Sequence, residues 1–271
     1  MKTGYDIIIQ AGQSNAQGCG IEPRKNAYVP RDDVLYYADD FEKTDLLEKC
    51  SDGSKFEVYP AKERGDEKYA VNNFSLYFAE EYLKAGLLKK GRKLLIIRAA
   101  VGGTGFRDGH WGKNDDLYLR MMKVIRCALN LDYGDNDHRL IALLWHQGEA
   151  EVAPETTTEQ VCERLGYLVK SVRETFGCPD LPFIAADFVQ DWKNASDEMV
   201  KLCEVVVKGI RTVCRDLQPA AFVSSEGLLS NRQNPDSPDI GGVKQDNIHF
   251  SYKSQKILGK RYFEKFAELI K

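Results

Sequence analysis

Short apolar stretches alternate with longer amphipathic stretches along most of the chain. The short stretches are bounded by turn-forming residues, and the first of them is rich in β-branched side chains, a pattern typical of buried strands. Five such strands are predicted, at residues 7–11, 93–101, 139–145, 182–187 and 220–224.

The longer stretches carry apolar residues three and four positions apart, which predicts helices with one buried face. Strands that alternate with helices predict an α/β fold, in which helices cover both faces of a parallel sheet. No repeat or linker interrupts the pattern, so we predict one domain over residues 1–271. The helices are predicted at residues 72–85, 114–130, 157–176 and 195–216, and a last helix follows Ser251, a suitable N-cap.

Residues 18–70 depart from this alternation. The segment is polar, holds Pro23, Pro30 and Pro60, and offers a possible short strand at residues 34–37. It has too few apolar residues for a core of its own. We therefore predict a long surface insertion near the mouth of a site at the sheet edge.

Composition and charge narrow the classes of partner. The 271 residues are 43% hydrophobic and 29% charged, with a net charge of -3. Nucleic-acid binders and binders of anionic membranes usually carry a basic patch, so this charge argues against both. No apolar run is long enough to cross a bilayer. The sequence gives no indication of oligomeric state.

Cysteine usage bears on location. The seven cysteines are odd in number, irregularly spaced and without a CxxC pair, which favours reduced thiols over a disulfide framework. No signal peptide is visible. We therefore expect a cytoplasmic protein, although a signal removed by processing would leave the same sequence.

The first predicted strand runs directly into the turn Gly12-Gln13-Ser14-Asn15. Open parallel sheets hold their ligands at the carboxyl ends of the strands, where a catalytic serine would lie. Ser14 could equally be the cap of the next helix. This stretch by itself does not decide between the two roles.

Two further predicted strands end in unusual clusters, GGTG at residues 102–105 and HQGE at residues 146–149. The carboxyl ends of parallel strands lie at one edge of a sheet, so these clusters are expected to meet Ser14 in space. A serine nucleophile needs a base, and the base needs an orienting partner. His249 can be the base and Asp246, three residues earlier, its partner.

The oxyanion of an ester-cleaving reaction needs hydrogen-bond donors. The backbone N–H of Ser14, the backbone of Gly103 and the side-chain amide of Gln147 are candidates. The glycines at 102 and 103 could also form a plain tight turn or a phosphate-binding loop. The GK[ST] ending of a P-loop is missing, which disfavours the phosphate loop.

The HQGE cluster places His146 and Glu149 three positions apart, a spacing that metal ligands also use. No second cluster with ligand spacing accompanies it, so we predict no metal and no cofactor. His146 is predicted to be buried and hydrogen-bonded. Glu149 could assist His249, hold the loop of Gln147 or pair with a cation, and we favour a structural role.

GQSN near the N-terminus, a strand ending in GGT, then WHQGE and a late DxxH resemble the SGNH-hydrolase superfamily. Within it, the set is most similar to carbohydrate esterase family six and the sialate O-acetylesterase-like domain, which are related to acetylxylan esterases. The resemblance covers nearly the whole chain. It implies a flavodoxin-like three-layer α/β/α sandwich with a central five-stranded parallel sheet, and metal-independent deacetylation of sugars.

By matching position, the resemblance implies that Ser14 is the nucleophile, His249 the base and Asp246 the partner of the base. It also implies an oxyanion hole of Ser14 N–H, Gly103 and Gln147. The glutamine stands where other SGNH enzymes use asparagine. Gln13 and Asn15 are expected to tie the nucleophile turn together.

We therefore expect a serine esterase that removes O-acetyl groups from carbohydrates. Acetylated xylan or xylo-oligosaccharides are the first expected substrate and O-acetylated sialic acid is the second, because the motifs encode ester hydrolysis without naming the sugar. A non-catalytic carbohydrate-binding domain is the rival of another class. It would not need the complete set of Ser14, His249 and Asp246.

Overall fold

The computed structural model describes residues 2–24, 28–39 and 55–271. The described strands are β1 (Tyr5–Gly12), β2 (Gly20–Pro23), β3 (Val34–Ala38), β4 (Glu57–Pro60), β5 (Arg64–Gly65), β6 (Tyr69–Asn72), β7 (Lys93–Arg98), β8 (Arg139–His146), β9 (Phe183–Ala186) and β10 (Ala220–Val223). The described α-helices are α1 (Ser14–Gln17), α2 (Phe74–Lys84), α3 (Asp116–Leu129), α4 (Thr158–Thr175), α5 (Gln190–Lys193), α6 (Asp197–Asp216) and α7 (Tyr252–Leu269).

The main sheet has the strand order β10-β9-β8-β1-β7-β3-β4. Every neighbouring pair is parallel except β3 with β4. The five predicted strands are present and lie side by side as β7-β1-β8-β9-β10, which is the 2-1-3-4-5 order of flavodoxin-like sheets. The predicted count of five strands is wrong, because β3 and β4 extend the sheet to seven.

Helices cover both faces of this sheet, as the alternation of strands and helices predicts. Successive strand residues point to opposite faces. Ile7 and Ile9 pack with α3, α4 and α6 in one apolar cluster, whereas Ile8 packs with α2 and α7 in the other. The three-layer α/β/α sandwich is therefore confirmed.

The segment 18–70, predicted as a surface insertion, contributes two strands to the main sheet. All five residues of β3 are buried, and the strand pairs in parallel with β7. Strands β2, β6 and β5 form a small antiparallel sheet beside the main one. The part of the predicted insertion at residues 25–27 and 40–54 lies outside the described residues. That residues 1–271 form one domain stays a prediction.

The helix bounds agree closely with the apolar periodicity. Ser251 caps α7, and its side chain accepts a hydrogen bond from the Ser254 backbone N–H. Across the described ranges, no helix combines the length and apolar character that a bilayer crossing requires. No disulfide joins any two of the described cysteines, and Cys50 lies outside the described residues.

Strand β1 lies between β7 and β8, at the point where the strand order reverses. Chain connections diverge on either side of this point and leave a crevice at the carboxyl edge, where doubly wound sheets bind ligands. At the end of β1, a Cβ added to Gly12 would lie 2.1 Å from the carbonyl oxygen of His146. Only glycine allows the two strand ends to approach this closely, and Gly12 also has a φ of 125°.

At the amino-terminal ends of the central strands, a cluster of charged side chains surrounds the buried carboxylate of Asp6. The Asp6 carboxylate accepts hydrogen bonds from Arg92 Nε at 2.6 Å, Arg139 Nε at 2.7 Å and the Tyr82 hydroxyl at 2.7 Å. Burial would raise the pKa of Asp6, but these bonds outweigh it and hold the pKa below its usual value. Asp6 is therefore a carboxylate at neutral pH.

Replacing Asp6 by asparagine is expected to destabilise the fold by about 3 kcal/mol, the lower end for a broken buried pair, because Arg92 then keeps only the more exposed carboxylate of Asp137. Urea unfolding at pH 7 measures the change. Asp216→Asn is the matched control, since Asp216 pairs with Arg215 on the exposed surface and should show no clear loss. Equal stability of Asp6→Asn and wild type would contradict the assignment.

Candidate active site

Ser14 is the first residue of α1, two residues after the end of β1. Its side chain is half-buried, and its Oγ lies 2.9 Å from Nε2 of His249. The backbone N–H of Gln13 donates to the His146 carbonyl oxygen at 2.9 Å, which fixes the turn against β8. The N-cap of α1 is Gln13, and no described side chain caps this helix, so Ser14 is not the cap. Its hydroxyl faces a histidine instead.

His249 lies between Ser14 and Asp246. Its Nδ1 is 2.9 Å from Asp246 Oδ2, and its Nε2 faces the serine hydroxyl. With Nδ1 protonated and bonded to the carboxylate, Nε2 presents its lone pair to the Ser14 hydroxyl. The arrangement can therefore remove the hydroxyl proton of Ser14 as the oxygen attacks an electrophile.

Asp246 is fixed by four hydrogen bonds. Its Oδ1 accepts from the backbone N–H groups of Ile248 at 3.2 Å and His249 at 3.1 Å. Its Oδ2 accepts from His249 and from Asn231 Nδ2, the latter at 2.9 Å. Burial raises the pKa of Asp246, but the hydrogen bonds from His249 and Asn231 outweigh it and the pKa is lowered. Asp246 is therefore ionised at neutral pH and can stabilise an imidazolium.

Asn15 joins the nucleophile turn to two other loops. Its Nδ2 donates to Glu149 Oε1 at 2.7 Å and to the Ile248 carbonyl oxygen at 3.0 Å. Its Oδ1 accepts from the Phe250 backbone N–H at 3.1 Å. Gln13 makes a further link, because its Oε1 accepts from the Ala150 N–H at 3.3 Å. Both residues therefore make hydrogen bonds that hold the nucleophile turn in place, as expected from the sequence.

Glu149 is buried against Asn15. Burial raises the pKa of Glu149, and the hydrogen bond from Asn15 opposes the rise without cancelling it. Its Oε1 lies 3.9 Å from Nε2 of His146, which is also buried. Within residues 2–24, 28–39 and 55–271, Glu149 makes no hydrogen bond to His249. Of the three roles considered for Glu149, a structural role at the nucleophile turn agrees best with these contacts.

His146 lies beneath the site and has no access to solvent. Its ring contacts Phe250 edge-on, and its Nδ1 is 3.3 Å from the Tyr262 hydroxyl. Burial lowers the pKa of His146 to about 3, so the ring is neutral at physiological pH. This agrees with the prediction of a buried, hydrogen-bonded histidine.

The buried ring makes stability depend on pH. Below about pH 6.5 the unfolded chain takes up a proton on His146 that the folded protein does not, until the pH nears 3. Stability is therefore lost as the pH falls through this window. Between pH 6.5 and 5 the loss from this residue is expected to be about 2 kcal/mol.

Urea unfolding of wild type and His146→Gln at pH 6.5 and pH 5 measures this loss. The variant should lose less stability on acidification, because glutamine does not titrate. Glu149 has a raised pKa and acts in the opposite direction, but it is present in both proteins. The same pH dependence in both proteins would show that His146 is not the source.

The GGTG loop follows β7 and passes beside Ser14. A Cβ added to Gly102 would lie 3.4 Å from Ser14 Cβ and 3.1 Å from Gln17 Oε1. Gly103 is exposed, has a φ of 69°, and its Cβ position has no described heavy atom within 4 Å. The loop thus brings the backbone of Gly103 to the open side of the site.

Gln147 lies at the end of β8, and its side chain is buried. Its Nε2 donates to Glu151 Oε1 at 2.9 Å, and the same oxygen accepts from the Phe106 N–H at 2.6 Å. An amide nitrogen carries two N–H groups, so this bond leaves one for a second acceptor. The amide of Gln147, predicted as an oxyanion donor, therefore lies at the carboxyl edge of the sheet and is held by Glu151.

Three residues of this region lacked any sequence signal. Asn231, Glu151 and Gln17 make their site contacts through the fold, with partners that are mostly distant along the chain. Trp111, which follows the GGTG loop, is fully buried and donates from Nε1 to Thr104 Oγ1 at 3.0 Å, so it packs in the interior and does not face the solvent. Among the described residues, no group of three or more His, Cys, Asp or Glu side chains is arranged to hold a metal ion.

A family model described as carbohydrate esterase, sialic acid-specific acetylesterase, matches residues 4–268. The chain belongs to this family. Carbohydrate acetylesterases are hydrolases that act on esters, as the motifs predict. The family description names sialic acid, so it favours the second of the two expected substrates over acetylated xylan. The finer assignment to carbohydrate esterase family six stays a prediction.

The chain is also similar to a curated protein of Arabidopsis thaliana, the probable carbohydrate esterase At4g34215. It is 25% identical over 164 residues, which are 60% of this chain and 52% of the relative. The chain thus spans about half the length of the curated relative that it matches.

Solved structures agree with the fold. NanS is 16% identical with a TM-score of 0.75, and the match covers 97% of each chain. The Arabidopsis thaliana AT4G34215 protein is 18% identical with a TM-score of 0.65, covering 97% of this chain and 98% of that one. XAC1771, a carbohydrate acetylesterase from Xanthomonas citri, is 14% identical with a TM-score of 0.59, covering 97% of this chain and 56% of that one.

Proposed function

We propose that this protein is a serine O-acetylesterase that acts on O-acetylated sialic acid. The observation that carries the proposal is the continuous line from Ser14 Oγ through His249 to Asp246, with both steps at 2.9 Å. A domain that only binds carbohydrate would have no need of such a line. The sugar is taken from the family description.

In the proposed reaction, Ser14 Oγ attacks the acetyl carbonyl carbon as its proton passes to His249 Nε2. Asp246 holds the imidazole and stabilises the imidazolium. The tetrahedral intermediate then loses the sugar oxygen, which takes the proton from His249. Water attacks the acetyl-Ser14 ester with His249 as base, and acetate leaves as Ser14 recovers its proton.

Gly103 and Gln147, with the backbone N–H of Ser14, are the proposed donors to the oxyanion. Gly103 is favoured over Gly102 because the Gly102 N–H already donates to Gln17 Oε1 at 3.0 Å. Donors that are fixed before the reaction stabilise the developing charge without reorganising, and one such donor is worth about 3 kcal/mol.

Acetate release from a panel of substrates tests the proposal. O-acetyl N-acetylneuraminic acids are expected to give a higher kcat/KM than acetylated xylo-oligosaccharides. A higher kcat/KM for acetylated xylo-oligosaccharides would reject O-acetylated sialic acid as the substrate and favour acetylated xylan. It would leave the esterase mechanism unchanged. Binding of these sugars without any acetate release would reject the enzyme and favour a binding domain.

A further inference from the structure

The loop at residues 101–106, here called the glycine loop, is held at two backbone N–H groups by two buried side chains. The Gly102 N–H donates to Gln17 Oε1 at 3.0 Å, and the Phe106 N–H donates to Glu151 Oε1 at 2.6 Å. Gly103, the proposed oxyanion donor, lies between the two bonds. Its N–H can therefore be set by contacts that do not touch the substrate.

Gln17 lies in the same helical turn as the nucleophile. Its Oε1 and Ser14 Cβ both lie within 3.4 Å of the point where a Cβ on Gly102 would be. The main chain of Gln17 is fixed as well, because its carbonyl oxygen accepts from Arg98 Nη2 at 2.6 Å. The bond from Gly102 to Gln17 thus ties the glycine loop directly to the turn that carries Ser14.

Glu151 makes the second tie. One of its carboxylate oxygens accepts from the Phe106 N–H and from Gln147 Nε2, at 2.6 and 2.9 Å. The same group therefore holds both the glycine loop and the side chain proposed as another oxyanion donor. Burial raises the pKa of Glu151, and the bonds from Gln147 and Phe106 oppose that rise.

A purely structural role explains Gln17 poorly. Within the described residues, its Nε2 is buried and has no hydrogen-bond partner. A buried amide nitrogen without a partner costs stability, so an apolar side chain of similar shape would serve the fold at least as well. The use of glutamine here is explained by its Oε1, which fixes Gly102.

We propose that Gln17 and Glu151 are positioning residues of the oxyanion hole. Gln17 sets the distance of the Gly103 N–H from Ser14, and Glu151 sets the Gln147 amide relative to the same loop. Oxyanion donors act on the transition state, so loosening them lowers kcat and leaves KM nearly unchanged. This inference rests on the proposed esterase function.

Gln17→Met and Gln17→Glu are the first pair of variants. Methionine keeps the shape but removes the acceptor for Gly102, so kcat should fall about tenfold to a hundredfold, less than the loss of a donor itself. KM should stay within about twofold, and the melting temperature should be unchanged or higher because the unpartnered amide nitrogen is gone. Glutamate keeps an acceptor oxygen for Gly102, so its kcat should exceed that of Gln17→Met, but its added negative charge beside the oxyanion should keep it below wild type.

Glu151→Met and Glu151→Gln form the second pair. Glutamine can still accept from Phe106 and should keep kcat close to wild type, whereas methionine cannot. In each variant, the inhibition constant of a trifluoromethyl ketone that forms a tetrahedral adduct should rise by the same factor as kcat/KM falls. Competent sites are counted with a serine-directed fluorophosphonate, so that misfolded protein does not lower kcat. If Glu151→Met does not fold, the Gln17 pair decides.

The inference is overturned if kcat of Gln17→Met per labelled site equals that of wild type. A lowered melting temperature in that variant would then indicate a structural role. A change in KM alone would also overturn it and indicate a substrate contact. Failure of the proposed function has a separate signature. In that case wild type releases no acetate, or Ser14→Ala releases it at the wild-type rate, whatever the ratios between the other variants.

Discussion

Ser14→Ala is expected to lower kcat/KM for a chromogenic acetate ester by about 10⁴-fold or more, since it removes the attacking oxygen. The substitution deletes one atom from a half-buried side chain at the start of α1, so the fold should not change. The variant should therefore keep its melting temperature and its affinity for a non-hydrolysable sugar. Residual rates would come from the remaining oxyanion donors.

Ser224→Ala is the matched control for this result. Ser224 follows β10, and its Oγ accepts a hydrogen bond from the Glu226 N–H at 3.1 Å. Its replacement should leave kcat/KM within about twofold, as for surface changes away from a site. Equal activity of Ser14→Ala and wild type would reject Ser14 as the nucleophile.

His249→Ala is expected to lower kcat by a similar factor, because Ser14 then has no base at hydrogen-bond distance. Asp246→Asn should lower kcat by about 10⁴-fold at neutral pH, because an amide next to Nδ1 favours the wrong tautomer of His249. Steady-state kinetics with the same ester, on folded protein, measures both.

The chain offers a close control for His249. His110 has its Nδ1 2.8 Å from Asp116 Oδ1, the same kind of pair as His249 with Asp246, but it lies outside the catalytic line. His110→Ala should keep kcat within about twofold of wild type. Near wild-type activity in His249→Ala, or a collapse in His110→Ala, would mean that the base is wrongly assigned.

The central strands could be predicted because each one is marked by a pattern of apolar residues within a few positions of the sequence. The five predicted strands are short apolar runs, and four are buried along most or all of their length, so periodicity finds them. The convergence of Ser14, residues 102–105 and residues 146–149 follows from one rule, that parallel strands end at one edge of a sheet. Strand order at that edge, with β1 between β7 and β8, then brings GQSN and HQGE side by side.

Strand β3 confirms the possible short strand at residues 34–37, but neither its place in the main sheet nor strand β4 was predicted. β3 is a short apolar run inside a polar segment, and its burial depends on pairing with β7, whose partner residues lie sixty positions later in the chain. β4 is an edge strand with mostly exposed residues, so it has no hydrophobic pattern to detect. Long-range pairing made both of them strands of the main sheet.

Three supporting residues of the site, Asn231, Glu151 and Gln17, were missed for a similar reason. Asn231 reaches Asp246 across fifteen positions, and Gln17 reaches Gly102 across eighty-five. No local spacing encodes such contacts, whereas the DxxH pair of Asp246 and His249 is contained in one turn. The reactive groups and the supporting residues next to Ser14 could be found, whereas supporting residues distant along the chain could not.

Labelling with a fluorophosphonate tests the central claim most directly. The reagent is added in steps, the label is located by peptide mass spectrometry, and acetate release from O-acetyl N-acetylneuraminic acid is measured at each step. We predict that activity falls in proportion to the label on Ser14 and reaches zero at one label per chain. Full activity with Ser14 completely labelled, or inactivation that tracks a label on another residue, would contradict the account.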